Sequence, residues 1–124
     1  MIYTSYFNKV KKLDNSYEVV GITRIPPKNI KNCYFVAPSK ELLLLYKQGF
    51  VSQESYTEEY LKQLSLETEN INRLVEYLKE YNNNEEKHIV MCCYEKSSDF
   101  CHRHILSKVL NKHGLNVSEL GDLQ

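Results

Sequence analysis

Hydrophobic positions recur along this chain with two different spacings, which separate short strands from longer helices. β-branched and aromatic residues cluster in three segments, 1–5, 17–25 and 33–37, and the last two stop at proline, so we predict strands there. In segments 40–48, 55–66 and 71–81 apolar residues instead recur every three or four positions, which predicts three helices. The polar segment 9–16 predicts a loop between the first two strands.

Capping residues agree with these helix boundaries. Ser39 precedes the first predicted helix and Gly49 follows it, and both residue types favour those positions. Residues 55–58, Ser-Tyr-Thr-Glu, have the form of a capping box and predict the start of the second helix. Three consecutive asparagines at 82–84 end the third helix.

The apolar run at residues 89–92 predicts a strand buried on both faces, at the centre of a sheet. A polar turn, a helix that ends at Gly114 and a short strand at 115–120 follow it. Strands at both ends with helices between them predict a single α/β domain over residues 1–124, with a mostly parallel sheet packed by helices. Ligands bind beyond the carboxyl ends of such strands, which predicts a site where the 89–92 strand leads into the next helix.

Composition narrows the classes of partner and compartment. Lys+Arg and Asp+Glu are both 16, so the formal charge is zero. This argues against nucleic-acid binding through an overall basic surface. The longest apolar run, 42–46, is too short to cross a bilayer, and the N-terminus lacks the pattern of a signal peptide. We therefore expect a cytoplasmic protein with reduced thiols and no membrane partner.

The residues with the most chemistry lie at the predicted strand-to-helix junction, in segment 93–104. Strand alternation puts Cys93 and Glu95 on one face of the sheet. On a helical projection His102 falls at the centre of the apolar stripe and aims at the strand end, whereas His104 points to solvent. His102 has two interpretations of equal weight: a site residue, or a core histidine bonded to a backbone carbonyl or to Glu95.

Three further residues of this segment carry expectations of their own. Arg103, in the first helical turn, opposes the helix dipole, so we expect an anionic ligand or Glu95 to hold it there. Cys101, near the helix start, has either a lowered thiol pKa or the role of a small buried hydrophobe, and we slightly prefer the second. Ser98 or Asp99 is the expected N-cap.

Segments 93–96, Cys-Tyr-Glu-Lys, and 100–104, Phe-Cys-His-Arg-His, resemble the Cys-x-Glu and Cys-His-Arg signature of the domain of unknown function family 488. Segments 4–7 and 46–49 are similar to its short phage- and firmicute-type members, and segment 21–27 matches the place where the family has a strand that ends in arginine with a proline nearby. The resemblance therefore covers nearly the whole chain. It implies an α/β fold and no established activity. It also implies a pocket, built from Arg24, Cys93, Glu95, Cys101, His102 and Arg103.

One position departs from the longer members of the family. They carry a Gly-His-Ser triplet where this chain has Thr4, Ser5 and Tyr6. A role for the histidine of that triplet therefore does not carry over. Ser5 and Tyr6, which stand in its place, are our candidate ligand-binding residues there.

The first functional hypothesis is an enzyme or binding domain with an anion pocket for a nucleotide or a nucleic-acid-related ligand. Arg24 and Arg103 would clamp a phosphate, because guanidinium groups match it with paired hydrogen bonds. Glu95 or His102 would act as acid or base. Three tyrosines are candidates for stacking on a base: Tyr6, Tyr56 and Tyr60.

Three alternatives stay open beside it. The second hypothesis is a thiol enzyme with Cys93 or Cys101 as nucleophile. The third is a zinc site of Cys93, Cys101 and His102, with or without Cys92; its spacing matches no common zinc finger, so we assign no metal ligand and leave the cofactor open. The fourth is a non-enzymatic interaction module. Across these hypotheses the candidate catalytic residues are Cys93, Glu95, Cys101 and His102.

Overall fold

A five-stranded parallel β-sheet organises the fold in the computed structural model, which describes residues 1–96 and 99–121. The strand order is β3-β2-β4-β1-β5, and every neighbouring pair runs parallel. These strands are β1 (Ile2–Tyr6), β2 (Tyr17–Gly21), β3 (Lys31–Asn32), β4 (His88–Cys93) and β5 (Val117–Glu119). The prediction of an α/β fold with a parallel sheet is confirmed.

Strand β4 lies at the centre of the sheet, as its continuous apolar run predicts. Ile89 and Met91 pack into one hydrophobic core, and Val90 and Cys92 pack into a second core on the opposite face. Its last residue, Cys93, pairs in register with Tyr6 of β1, so the carboxyl end of β4 lies between its two neighbours β1 and β2. Side chains that follow β4 therefore emerge at the centre of one sheet edge.

The two faces of the sheet are covered unequally. The larger core includes apolar side chains from four helices, and the smaller core includes those of one four-residue helix. The four helices are α2 (Lys40–Lys47), α3 (Gln53–Leu66), α4 (Thr68–Leu78) and α5 (His102–Lys112), and the short one is α1 (Phe7–Val10). No helix in the described part of the chain is long and apolar enough to cross a membrane.

The structure corrects the prediction of a strand at 33–37. This segment forms a 3₁₀ turn, Tyr34–Val36, and the third strand is the preceding pair Lys31–Asn32. Cys33 and Val36 are both buried while Tyr34 is exposed, so the apolar residues follow the three-residue period of a 3₁₀ turn.

Other boundaries differ from the prediction as well. The third helix, predicted over 71–81, begins at Thr68, and a 3₁₀ turn, Lys79–Tyr81, follows it after Leu78. The predicted loop at 9–16 overlaps the end of α1. Helix α3 begins at Gln53, before the predicted capping box at 55–58, because the Ser52 side chain is the N-cap and accepts from the Ser55 N–H. Strand β2 ends at Gly21 instead of residue 25. The Asn32 side chain bonds both the N–H and the carbonyl of Thr23 there, at 3.2 and 2.6 Å, and so replaces a neighbouring strand.

Candidate functional site

The local structure of the junction makes Cys101 part of the site rather than part of the helix. Helix α5 begins at His102, and Cys101 is its N-cap residue, in extended conformation with φ −152° and ψ 145°. The prediction of Asp99 as N-cap is therefore wrong, and Ser98 lies outside the described residues. The Cys101 side chain makes no cap bond to the helix, so it turns toward β4 instead.

Two cysteines and a histidine converge at this junction. The sulfur atoms of Cys93 and Cys101 and a ring nitrogen of His102 all lie within 4.8 Å of one another, and all three residues are buried. The two sulfur atoms lie within bonding distance of each other, as in a disulfide, although the Cα atoms are 7.8 Å apart, beyond the usual disulfide range of about 4.4–6.8 Å. The fold thus brings together soft and borderline ligands from the two sides of a polar turn.

His102 has a defined tautomer in this arrangement. Its Nε2 lies 2.6 Å from the carbonyl oxygen of Ile22, and a carbonyl only accepts, so Nε2 carries the proton. Burial lowers the pKa of His102 to about 4, so the ring is neutral at pH 7. The free lone pair on Nδ1 then points toward the Cys101 sulfur at 3.7 Å. The expected bond to a backbone carbonyl and the expected aim at the strand end are both present.

Arg103 is fully buried, and its guanidinium is bonded within the protein. Its Nε and Nη2 donate to the two carboxylate oxygens of Glu119 at 3.1 and 2.8 Å. Its Nη1 donates to the Cys93 sulfur at 2.9 Å and to the backbone carbonyl of Glu95 at 2.6 Å. Thr4 donates to the same carboxylate at 2.7 Å. The charge that holds Arg103 at the helix N-terminus is Glu119, instead of the anionic ligand or the Glu95 carboxylate that we expected.

Glu119 is the residue that sequence reasoning missed. It lies in β5, which pairs with β1, while Arg103 follows β4 on the other side of β1. No motif spacing joins the two residues. The signal available in the sequence was the buried, dipole-opposing arginine itself, which requires a carboxylate somewhere in the fold.

Glu95 lies between the buried cysteine cluster and the protein surface. Its side chain is exposed, and its Oε2 accepts from the Cys101 thiol at 3.3 Å. The preceding residue, Tyr94, packs on Phe7 and donates its hydroxyl to the Ile25 carbonyl at 2.7 Å, which ties the turn to the end of the β2 segment. The carboxylate is therefore held at the boundary between the buried cluster and the surface.

A cavity of about 510 Å³ opens beside Glu95. Three cations line it, Arg24, Lys40 and Lys47, together with Glu95 and His102. The other lining residues are mostly apolar: Thr23, Ile25, Pro38, Leu43, Leu44 and Tyr94. We call this cavity the cationic pocket. Arg24 thus lies where the sequence places it, close to the motif.

Of the remaining candidate ligand-binding and stacking residues, Tyr6 lies at the site, whereas Ser5, Tyr56 and Tyr60 lie away from it. The Tyr6 ring lies 5.9 Å from the Arg103 guanidinium carbon, at the site. Ser5 is buried beside Cys92 in register, on the face that α1 covers, so the fold does not bring it to the cysteine cluster. Tyr56 and Tyr60 are buried in the larger core, and neither lines the cationic pocket.

These features define a class: a parallel α/β domain whose central strand ends in Cys-x-Glu and whose next helix starts at Cys-His-Arg. Residues 2–114 match the family model described as the active DUF488-N3 subclade, and the chain belongs to this DUF488 family. The resemblance drawn from the sequence motifs is confirmed. No curated protein and no solved structure gives a match.

Proposed function

We propose that this protein is an enzyme that acts on a phosphate-bearing, nucleotide-related substrate bound in the cationic pocket. The observation that carries the proposal is the lining of that pocket, where three cations and exposed apolar side chains meet Glu95 and His102. The description of the matched subclade as active supports an enzyme over an inert module.

The chemistry of the lining fits a ligand with both an anion and a ring. Three cations face a single carboxylate there, in a protein whose formal charge is zero, so the positive potential is local. Ile25, Leu44 and Tyr94 are largely exposed on the same pocket and offer an apolar surface to a base. A nucleotide presents both kinds of group at the separation that one pocket can span.

The residue roles follow from which groups have bonds to spare. Four of the five N–H groups of Arg103 donate to Glu119, Cys93 and the Glu95 carbonyl, so we assign the phosphate to Arg24 and the positioning of the cysteine to Arg103. His102 is bonded to the Ile22 carbonyl through Nε2, and its Nδ1 faces the Cys101 sulfur, so we assign the acid or base role to the exposed Glu95.

Thermal shift against nucleoside monophosphates, inorganic phosphate and a short single-stranded oligonucleotide tests the proposal. A ligand at about 100 times its dissociation constant adds about 2.7 kcal/mol of stability, which a melt detects. We expect the double variant Lys40→Ala/Lys47→Ala to weaken binding roughly tenfold or more, since hydrogen bonds to charged groups contribute about 1.5–3 kcal/mol each.

Arg73→Ala is the control, because Arg73 is an exposed arginine that lines a neighbouring cavity of about 440 Å³, which shares Arg24 but neither lysine with the cationic pocket. Equal weakening by the control, or no shift with any of these ligands, would contradict a nucleotide role for the cationic pocket.

A second candidate, a thiol enzyme, is favoured by one contact. The buried Arg103 guanidinium donates to the Cys93 sulfur at 2.9 Å, and a cation beside a thiol favours the thiolate. Alkylation rates measured against pH test it: a reactive Cys93 should react below the usual thiol pKa of about 8.5. An alkylation profile identical to that of an unfolded control would contradict it.

A further inference from the structure

We propose that Cys93, Cys101 and His102 bind a zinc-class divalent metal ion through two sulfur atoms and Nδ1. The inference goes beyond the proposed function and does not depend on a nucleotide. The spacing of the cysteines and the histidine in the sequence matches no common zinc-finger motif. In the folded protein, however, the end of β4 and the start of α5 bring the three side chains together.

The sulfur–nitrogen separation fits one metal ion. Zn–S bonds of about 2.3 Å and Zn–N bonds of about 2.0–2.1 Å at tetrahedral angles put sulfur and nitrogen about 3.6 Å apart. The Cys101 sulfur lies 3.7 Å from His102 Nδ1, and all three ligand atoms lie within 4.8 Å of one another. Two sulfur ligands of one such ion lie about 3.8 Å apart, so the two cysteines must be reduced and their side chains must rotate apart for the ion to bind.

The histidine is already in the form that a metal needs. A metal-bound histidine donates its second ring N–H to a carbonyl or carboxylate, which fixes the tautomer and leaves the other nitrogen free for the metal. His102 makes this bond through Nε2 to the Ile22 carbonyl, at 2.6 Å. Its Nδ1 accordingly faces the cysteines with a free lone pair.

The cysteines are placed for thiolate ligation instead of a stable disulfide. Their Cα atoms are 7.8 Å apart, a span that a disulfide does not bridge without backbone movement. The Arg103 guanidinium donates to the Cys93 sulfur and so favours its thiolate, which is the form that binds a metal ion. In the reduced protein, the two buried sulfurs and the guanidinium beside them therefore form a site for one metal ion.

Three protein ligands leave one position of a tetrahedral ion for water or substrate, which is the pattern of catalytic zinc sites. The Glu95 carboxylate lies 3.3 Å from the Cys101 sulfur, and both Glu95 and His102 line the cationic pocket. The inferred ion would therefore lie within the buried cluster and next to the pocket.

The test uses the whole reduced protein, stripped of metal with a chelator and then titrated with Zn²⁺ and with Co²⁺. We expect one Zn²⁺ per chain by elemental analysis, and a thiolate-to-cobalt charge-transfer absorption that zinc abolishes. Cys101→Ser and His102→Gln should weaken binding by at least about 100-fold, since even outer partners of metal ligands contribute about 10–100-fold. Cys92→Ala is the matched control, because Cys92 is the adjacent buried thiol and packs in the other core; it should keep full binding.

Wild-type protein with a native circular dichroism spectrum, no stoichiometric zinc and no cobalt absorption would overturn the inference without any variant. Cobalt absorption of equal intensity in wild type and Cys101→Ser would overturn the ligand assignment. If nucleotides stabilise the protein but zinc does not bind, only the metal site is contradicted. If zinc binds but nucleotides do not stabilise the protein, only the proposed function is contradicted.

Discussion

Replacing Glu119 by glutamine removes the charge that balances the buried Arg103 while it keeps the size of the side chain. Arg103 is 0% exposed and Glu119 is 27% exposed, and two parallel N–H···O bonds of 3.1 and 2.8 Å join them. Breaking a buried ion pair from one side costs about 3–5 kcal/mol, because the other charge stays buried without its counter-charge. Since Glu119 keeps partial contact with water, we expect Glu119→Gln to lower the free energy of unfolding by about 3 kcal/mol.

Urea denaturation followed by circular dichroism measures this loss. With a slope of about 2 kcal/mol/M for a domain of this size, the unfolding midpoint should fall by about 1.5 M. Glu80→Gln is the control, because Glu80 pairs with Lys87 at the surface, where both side chains are 56% exposed, and should cost no more than about 1 kcal/mol. Equal, small shifts in the two variants would refute the claim that Glu119 is what holds Arg103 in the site.

Two further stability predictions follow from single contacts. Tyr60 donates to the Val36 carbonyl at 2.6 Å, so Tyr60→Phe should cost about 1–2 kcal/mol at pH 7 in urea melts. Burial raises the pKa of Tyr60 well above its usual 10, so above about pH 10 the tyrosine ionises in the unfolded state but not in the folded state, and the wild type loses stability. The difference in unfolding free energy between wild type and Tyr60→Phe should therefore narrow above about pH 10, and a constant difference would contradict this prediction. A methyl group at Gly21 would lie 2.4 Å from Asn32 Oδ1, so Gly21→Ala should destabilise by about 1–3 kcal/mol, whereas Gly121→Ala, which meets no atom within 4 Å, should melt like wild type.

The central elements of the fold could be predicted because their signals are local. A continuous apolar run placed β4 at the centre of the sheet, and helical periodicity with Ser39 and Gly49 placed α2. Local periodicity failed at residues 33–37, because a short apolar segment fits both a strand and a 3₁₀ turn, and packing of Val36 into the core decides between them.

The part of the site that is close together in the chain could also be predicted, because its signal is local. Cys93, Cys101 and His102 lie close in the chain, so their meeting at the junction follows from a strand, a turn and a helix. The Arg103–Glu119 pair and the lysines of the cationic pocket depend on how β5 and α2 pack around that junction. Such long-range placement has no local pattern, and the role expected for Arg103 changed once its carboxylate partner was known.

The most direct test of the site is the protonation state of His102 in the reduced, metal-free protein, read from the imidazole ¹⁵N shifts in an NMR titration. The account predicts a neutral ring with the proton on Nε2 at pH 7, which charges only near pH 4, because burial lowers its pKa and the Ile22 carbonyl holds the Nε2 proton. A charged ring at pH 7, or a proton on Nδ1, would contradict it, because no free lone pair would then face the cysteines.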